Sequence, residues 1–378
     1  MNNSESYSIA FVGWNPFQFI QIKQLAASMP GSVFVIEKKK NNNVDEFSEE
    51  ILNNNEVPIL IWEQKDMIKL DGVFDIVVAQ TMFMHLHMFQ KSKIVMLQYG
   101  YAKEVHNFGT WRAFADLTLT YGEYATKKIS HFCPTVAVGN PRYDLWHEIY
   151  FHEKANKKYE KLLNKDKKTL LYMPTWGELS SVDIFLDAIL ELSDRYNVLL
   201  KLHHNTDILE KNRVDIKKDD NIHYFGATDD ALDLLSISDI VISDYSGAIF
   251  DAIYCDKPVI LLDLPEKQLE SIDKIDEHSL EISSRNELGY RVNASMNLSD
   301  ALEYVEKNSN TILEKQNEIK EKLFLSENNS VERAIKEIDA LIEGKHITSQ
   351  IQSYIKESVR ELYVTKRSLA ILKKKMKK

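Results

Sequence analysis

Short apolar runs recur along the chain, and stretches with helical spacing follow most of them. "SIAFVGW" (Ser8–Trp14) reads as a strand and "FQFIQIKQLAASM" after it as a helix. The runs "SVFVIEK", "VPILIW", "FDIVVAQ", "KIVMLQYG", "DLTLTYG" and "TVAVGN" continue the series in the first half. In the second half come "TLLYMPTW", "NVLLKLHH", "IHYFG", "DIVISD" and "PVILLD", separated by helical stretches such as "SVDIFLDAILELSDRY", "ALDLLSIS" and "GAIFDAIYC". Strands alternating with helix-length patterns predict βα units and mostly parallel sheets, so the fold class is α/β. From about Ala301 onward the pattern predicts helix alone.

At 378 residues the chain is long for one core. The alternation stops at a charged helical stretch, His147–Lys168, and then restarts, which predicts two Rossmann-type, doubly wound domains. The expected boundaries are 1–150 for an N-terminal, acceptor-side domain, 151–342 for a C-terminal, nucleotide-donor domain, and 343–378 for a basic amphipathic helix. Apolar content of 44% fits a folded chain, and a net charge of −10 argues against nucleic acid as a partner. The two cysteines, Cys133 and Cys255, have neither disulfide-framework nor metal-ligand spacing, which fits a reducing compartment. The N-terminus lacks the basic start and cleavage site of a signal peptide, and no apolar run reaches the ~18–20 residues that span a bilayer.

Candidate chemistry gathers at strand ends. In open α/β sheets ligands bind beyond the carboxyl ends of the strands. "VISDYSGAIFDA" (Val241–Ala252) places Ser243, Asp244, Tyr245, Ser246 and Gly247 where a buried strand gives way to a helix. A helix start offers free amides and a favourable dipole for an anion, and Gly247 lets a phosphate approach the backbone. The simpler alternative is an ordinary Ser/Asp N-cap. "MPTWG" ends its strand in Thr175 and Trp176, and "KLHHN" in Lys201, His203 and His204, where strand alternation sets His204 on the face opposite Lys201 and His203. In the first half Lys103, His106 and Arg142 follow strand ends; for Arg142 the alternative is a surface turn residue.

These segments, in this order, resemble CDP-glycerol glycerophosphotransferases of teichoic acid and capsule synthesis. "VGNPRYD", "LLYMPTW", "LLKLHHN" and "DLLSISDIVISDYSGAIFDAIYCDKPVILLD" carry the resemblance, over about Ile94 to Asp263. It implies a GT-B-like fold, two Rossmann-type domains facing a cleft, and transfer of glycerol phosphate or ribitol phosphate from a CDP-activated donor to a hydroxyl of a cell-surface glycan or lipid-linked acceptor, with release of CMP. Ser243 to Gly247 and Asp251 would then belong to the donor site, with Thr175, Trp176, Lys201 and Arg142 around them, and His203 to the catalytic centre. Many members carry His-Gly-Thr in the first domain; here Tyr99-Gly100-Tyr101 stands there, with tyrosine in the place of the presumed base. An unperturbed tyrosine, pKa about 10, is a poor base near neutrality, so His106 or His203 would serve instead, with Tyr99, Gly100 and Lys103 on the acceptor side. The implied chemistry uses no cofactor, although one sequence does not exclude a divalent metal. The alternatives are a GT-B glycosyltransferase using a nucleotide sugar, for capsule or O-antigen synthesis, and a nucleotide-sugar 2-epimerase-like isomerase.

The end of the chain departs from the overall acidity. "SYIKESVRELYVTKRSLAILKKKMKK" carries Arg360, Lys366, Arg367, Lys373, Lys374, Lys375, Lys377 and Lys378, with Ile355, Val359, Leu362, Tyr363, Leu369, Ile371 and Leu372 at near-helical spacing. Such a helix predicts residues 351–378 lying on an anionic membrane surface, which would place the protein in the cytoplasm, peripheral at the inner face of the cell membrane. The alternatives are a helix packed on its own domain or pairing with another subunit in a homo-oligomer.

Overall fold

The computed structural model describes residues 7–39, 43–53, 56–210, 213–214, 221–270, 272 and 275–376. The alternation read from the sequence becomes two all-parallel sheets. The first contains Ile9–Gly13 (β1), Val33–Lys38 (β2), Ile59–Glu63 (β3), Ile76–Ala79 (β4), Lys93–Leu97 (β5), Leu117–Thr120 (β6) and Thr135–Ala137 (β7), in the order β3-β2-β1-β4-β5-β6-β7. The second contains Thr169–Met173 (β8), Asn197–Lys201 (β9), Ile222–Phe225 (β10), Ile240–Ser243 (β11), Val259–Asp263 (β12) and Tyr290–Asn293 (β13), in the order β10-β9-β8-β11-β12-β13. Strands such as β1, β8 and β12 are buried along their whole length, as expected for parallel strands covered on both faces. In each sheet the first strands wind outward one way and the later ones the other, so that strand order reverses between β1 and β4 and between β8 and β11.

The chain divides into two compact units, each drawn from more than one stretch. One comprises Met1–Tyr99, Phe108–Tyr143 and Glu327–Lys378; the other comprises Gly100–Asn107 and Asp144–Ser326. A single cut near residue 150 and a second at 342 do not describe this. The helix Ser330–Ile342 belongs to the first unit because Ala334, Ile338 and Leu341 form a buried stripe in the same core as β1, β4 and β5. The Tyr7 hydroxyl donates to Asp339 there (2.6 Å). Gly139, at φ +86°, has room for this helix start only because it lacks a Cβ; one there would collide with Ser330 Oγ.

The helix Ile149–Tyr159, in the charged stretch that separates the two halves of the sequence, is a packed element of the second unit. It buries Phe151, Ala155 and Tyr159, with His152 Nδ1 2.8 Å from Ser236 Oγ and Lys158 Nζ 2.9 Å from Asp233 Oδ2 on the helix Ala231–Ile237. Both cysteines are free and buried. No helix among the described residues is long and apolar enough to cross a membrane.

Candidate active site

The second sheet brings the ends of β8 and β11 together at its order reversal, where a doubly wound sheet opens to receive a ligand. Asp244, directly after β11, ties this region. Its carboxylate is fully buried and accepts from Thr175 N (2.7 Å), Ser181 N (2.8 Å), Ser181 Oγ (2.9 Å) and Tyr245 N (2.6 Å). Burial pushes the carboxyl up, and these donors oppose that shift by favouring the ionised form. Ser243 Oγ donates to Met173 O at 2.6 Å, and so joins β11 to β8 a second time. Tyr245 is buried beneath the Arg285 guanidinium, 4.0 Å from its ring centre. These three side chains hold the strand ends in place.

The ligand-facing capacity of the loop therefore lies in its backbone. Ser246 Oγ accepts from Ala248 N (3.3 Å), while Ile249 N and Phe250 N bond to Ser246 O and Gly247 O. Thus Ser246 is a cap, as the plain N-cap alternative has it, and the Ser246 and Gly247 amides precede the helix Ala248–Tyr254. Gly247 has an ordinary helical φ of −61°, and a Cβ there would meet Ala102 Cβ at 3.8 Å. Nothing in the fold itself demands glycine at this position. Asp251 sits in the first turn of that helix, half-buried.

Around this loop stand Thr175, Trp176, Lys103 and His203. Lys103 Nζ is 3.5 Å from Thr175 Oγ1 and 6.0 Å from the centre of the Trp176 ring, which lies 6.0 Å from the His203 ring at 30°. Burial lowers the Lys103 pKa, and Glu281 and Asp244 pull it back up. The segment Gly100–Asn107, expected in the first domain, belongs to the second unit, and with it Gly100, Lys103 and His106. His106 is exposed on the short helix Glu104–Asn107.

His203 does not continue β9. The strand ends at Lys201, and His203 caps the next helix, its Nδ1 accepting from Asn205 N at 3.1 Å. The expected opposition of His203 and His204 therefore fails: their rings stack 4.2 Å apart. Burial, then His204, Lys103 and Lys201, hold His203 well below the usual histidine range, so it is neutral at neutral pH. With Nδ1 accepting, the ring proton sits on Nε2. His203 thus offers a hydrogen-bond donor, and to act as a base through Nδ1 it would have to give up its cap. Lys201 Nζ donates to Gly226 O, in the turn after β10.

Two expected site residues lie in the first unit. Tyr99 packs edge-on against Phe17 (5.7 Å), and Arg142 is buried in the turn Pro141–His147, its amide bonded to Asn140 Oδ1 (3.2 Å). Among the described residues, no group of three or more His, Cys, Asp or Glu side chains is placed to hold a metal ion.

Sequence reasoning missed Arg285 and Glu281. Arg285 is buried and donates to Asp263 Oδ1 (2.6 Å), Asp244 O (2.7 Å), Leu262 O (2.8 Å) and Glu281 O (3.3 Å). It thereby fastens the loop after β11 to the end of β12. They lie on two single-turn helices, Leu280–Ser283 and Arg285–Leu288, within "EISSRNELGY", which carries no motif to mark them.

A family model described as CDP-Glycerol:Poly(glycerophosphate) glycerophosphotransferase matches residues 129–340, more than half of the chain. The chain belongs to this family. The glycerophosphotransferase match takes in β8 to β13 and the strand ends of the second sheet, while the segment Gly100–Asn107 lies before it. The teichoic acid poly(glycerol phosphate) polymerase of Bacillus spizizenii (strain W23) is 31% identical over 134 residues, which is 32% of this chain and 33% of that protein. The chain thus matches only about a third of that relative's length. The solved structure of the wall teichoic acid polymerase TagF superposes with a TM-score of 0.64 at 18% identity, covering 93% of this chain and 90% of the other. A variant of that polymerase soaked with CDPG gives the same TM-score over 94% and 90%. The fold is GT-B-like: two parallel-sheet α/β units with a helical C-terminal part.

Arg285→Met removes a buried cation and leaves Asp263 with the more exposed Arg291 alone. We expect a loss of ~3–5 kcal/mol in urea unfolding, the cost of breaking a buried pair. A loss below about 1 kcal/mol, as for an exposed pair, would show that the guanidinium does not secure the loop.

Proposed function

We propose that this chain transfers a polyol phosphate, glycerol phosphate or ribitol phosphate, from a CDP-activated donor to a hydroxyl of a cell-surface glycan or lipid-linked acceptor, releasing CMP. The observation that carries the reading is the set of groups at the β8–β11 reversal: the Ser246 and Gly247 amides and the neutral His203, inside the matched region, and the Lys103 ammonium, which comes from outside it. In the proposed step an acceptor oxygen bonds to the phosphorus bearing the polyol, and the bond from that phosphorus to the bridging oxygen breaks. CMP leaves with the bridging oxygen and its electron pair. Such transfers depend on positioning and on stabilising charge, which amides, an ammonium and a histidine N–H supply. No metal ion is required by this scheme. His203, its Nδ1 engaged as a cap, is assigned to charge stabilisation, which leaves His106 as the candidate to take the acceptor proton.

Incubation with CDP-glycerol, CDP-ribitol and UDP-sugars, together with an acceptor, tests the reading. CMP should appear, with phosphate in the product; UDP from a UDP-sugar and no CMP would favour the glycosyltransferase alternative. Gly247→Ala should fold normally, since its backbone and surroundings admit a Cβ, yet weaken donor binding in calorimetry by about tenfold or more, because the Cβ holds the phosphate off the amide and so costs about one charge-assisted hydrogen bond. Unchanged affinity would put the diphosphate elsewhere.

We also place the protein at an anionic membrane surface through the helix Gln350–Met376. One side of this helix packs on the first unit: Gln352 Nε2 donates to Ser130 O (2.8 Å), Lys356 Nζ pairs with Asp116 (3.3 Å), and the Tyr363 ring lies 4.9 Å from His87 and 6.1 Å from Phe114. Tyr363 therefore turns toward protein, not lipid. The other side exposes Ile351, Leu362, Leu369, Leu372 and Met376 along the helix. From Leu362 to the end the sequence holds Lys and Arg but no Asp or Glu, which complements anionic lipid. Lys377 and Lys378 lie outside the described residues, as do the side chains of Ile371, Lys374 and Lys375. Truncation after Gln350 should abolish salt-sensitive sedimentation with anionic liposomes, and Leu369→Glu on the exposed side should weaken it. Equal sedimentation of all three proteins would refute this placement.

A further inference from the structure

Lys103 adopts a left-handed backbone conformation, φ +56°, which a residue with a side chain keeps only when its surroundings impose it. Two side chains of the second unit impose it here. Glu281 Oε1 accepts from Lys103 N at 2.8 Å, and Ser279 Oγ accepts from Glu104 N at 2.9 Å. Ser279 Oγ in turn donates to Asp276 Oδ2 at 2.7 Å, and Asn107 Nδ2 closes the segment on Ala102 O at 2.5 Å. This clamp sends the Lys103 side chain toward Thr175 and Trp176.

Glu281 is 4% exposed, and its Oε2 is buried with no hydrogen-bond partner. A buried carboxylate with half its bonding capacity unused is costly, and anchoring one amide does not require it; a glutamine oxygen would suffice. Its charge has another use. Lys103 is itself largely buried, and burial disfavours its ammonium, against which Glu281 is the foremost opposing charge. Burial in turn pushes Glu281 up to about 7, with the Lys103 amide, the Glu281 amide and the Lys103 ammonium opposing that shift and Glu104 adding to it.

We infer that Glu281 is a positioning residue for the transfer: it fixes the Lys103 backbone and sets a carboxylate against the Lys103 ammonium beside Thr175 and His203, where that ammonium neutralises phosphate of the donor. Lys103 thus serves the donor, not the acceptor. The inference rests on the proposed polyol-phosphate transfer.

The test is steady-state CMP release from CDP-glycerol by the full chain and by Glu281→Ala, Glu281→Gln, Lys103→Met and the Glu281→Ala, Lys103→Met double variant. Glu281→Ala and Lys103→Met should each lower kcat by about 10²-fold, the scale of a misplaced catalytic group, with the acceptor KM little changed. The double variant should be no slower than the slower single one, because both act through one ammonium. Glu281→Gln keeps the amide acceptor and loses the charge, so its rate should fall between wild type and Glu281→Ala. Losses that multiply in the double variant would overturn the inference. So would a Glu281→Gln rate equal to wild type, and that near-isosteric variant decides the matter even where Glu281→Ala fails to fold. A wild-type protein that releases no CMP removes the proposed function and this inference with it, whereas normal wild-type release matched by the Glu281 variants removes the inference alone.

Discussion

The buried carboxylate of Asp244 is the constraint on which the second unit's site depends. A fully enclosed carboxylate is tolerable only when donors surround it, and here they come from three places in the chain: the turn after β8, the start of the helix Val182–Leu190, and its own loop. Satisfying Asp244 therefore fixes Thr175, Ser181 and Tyr245 relative to one another. Arg285 repeats the device from the other side, binding the Asp244 carbonyl and the end of β12 at once. The backbone of Ser246 and Gly247 inherits its placement from both.

The polar residues at the strand ends therefore divide into two kinds. Ser243, Asp244, Tyr245 and Arg285 spend their bonding capacity on protein, and are buried. Lys103 is held by its backbone, its ammonium donating one long bond to Thr175, and His203 by one ring nitrogen, so that the remaining ammonium N–H groups and an Nε2–H can act on something else. Preorganised donors of this kind need no rearrangement when charge develops, which is what phosphoryl transfer asks of a protein.

Much of this architecture was legible in the sequence because buried parallel strands read as unbroken apolar runs. β1 to β12 all fall on segments singled out by pattern, β3 running one residue past its own, and the loop after β11 stood out by its hydroxyls, carboxylate and glycine. Sheet order is not contained in periodicity, so the reversal between β8 and β11 could be seen only in the structure. β13, with Arg291 and Asn293 exposed, is too polar to announce itself. The segment Gly100–Asn107 directly follows strand β5 of the first sheet, yet its clamp to Ser279 and Glu281 spans more than 170 residues of sequence, beyond the reach of local pattern. Arg285 and Glu281 were invisible for the same reason: a charge on a single helical turn reads as surface until its partners are known. His203 reads in the sequence as a strand-end residue, but β9 stops at Lys201 and its role as a helix cap overrides the side-chain geometry that alternation predicts.

The central claim is that the donor diphosphate lies at the β8–β11 reversal. A crystal structure of this chain with CDP-glycerol tests it most directly. The account predicts diphosphate oxygens about 3 Å from the Ser246 and Gly247 amides, with Lys103 Nζ and His203 Nε2 turned toward them. A diphosphate bound anywhere other than the ends of β8, β9 and β11 would contradict it.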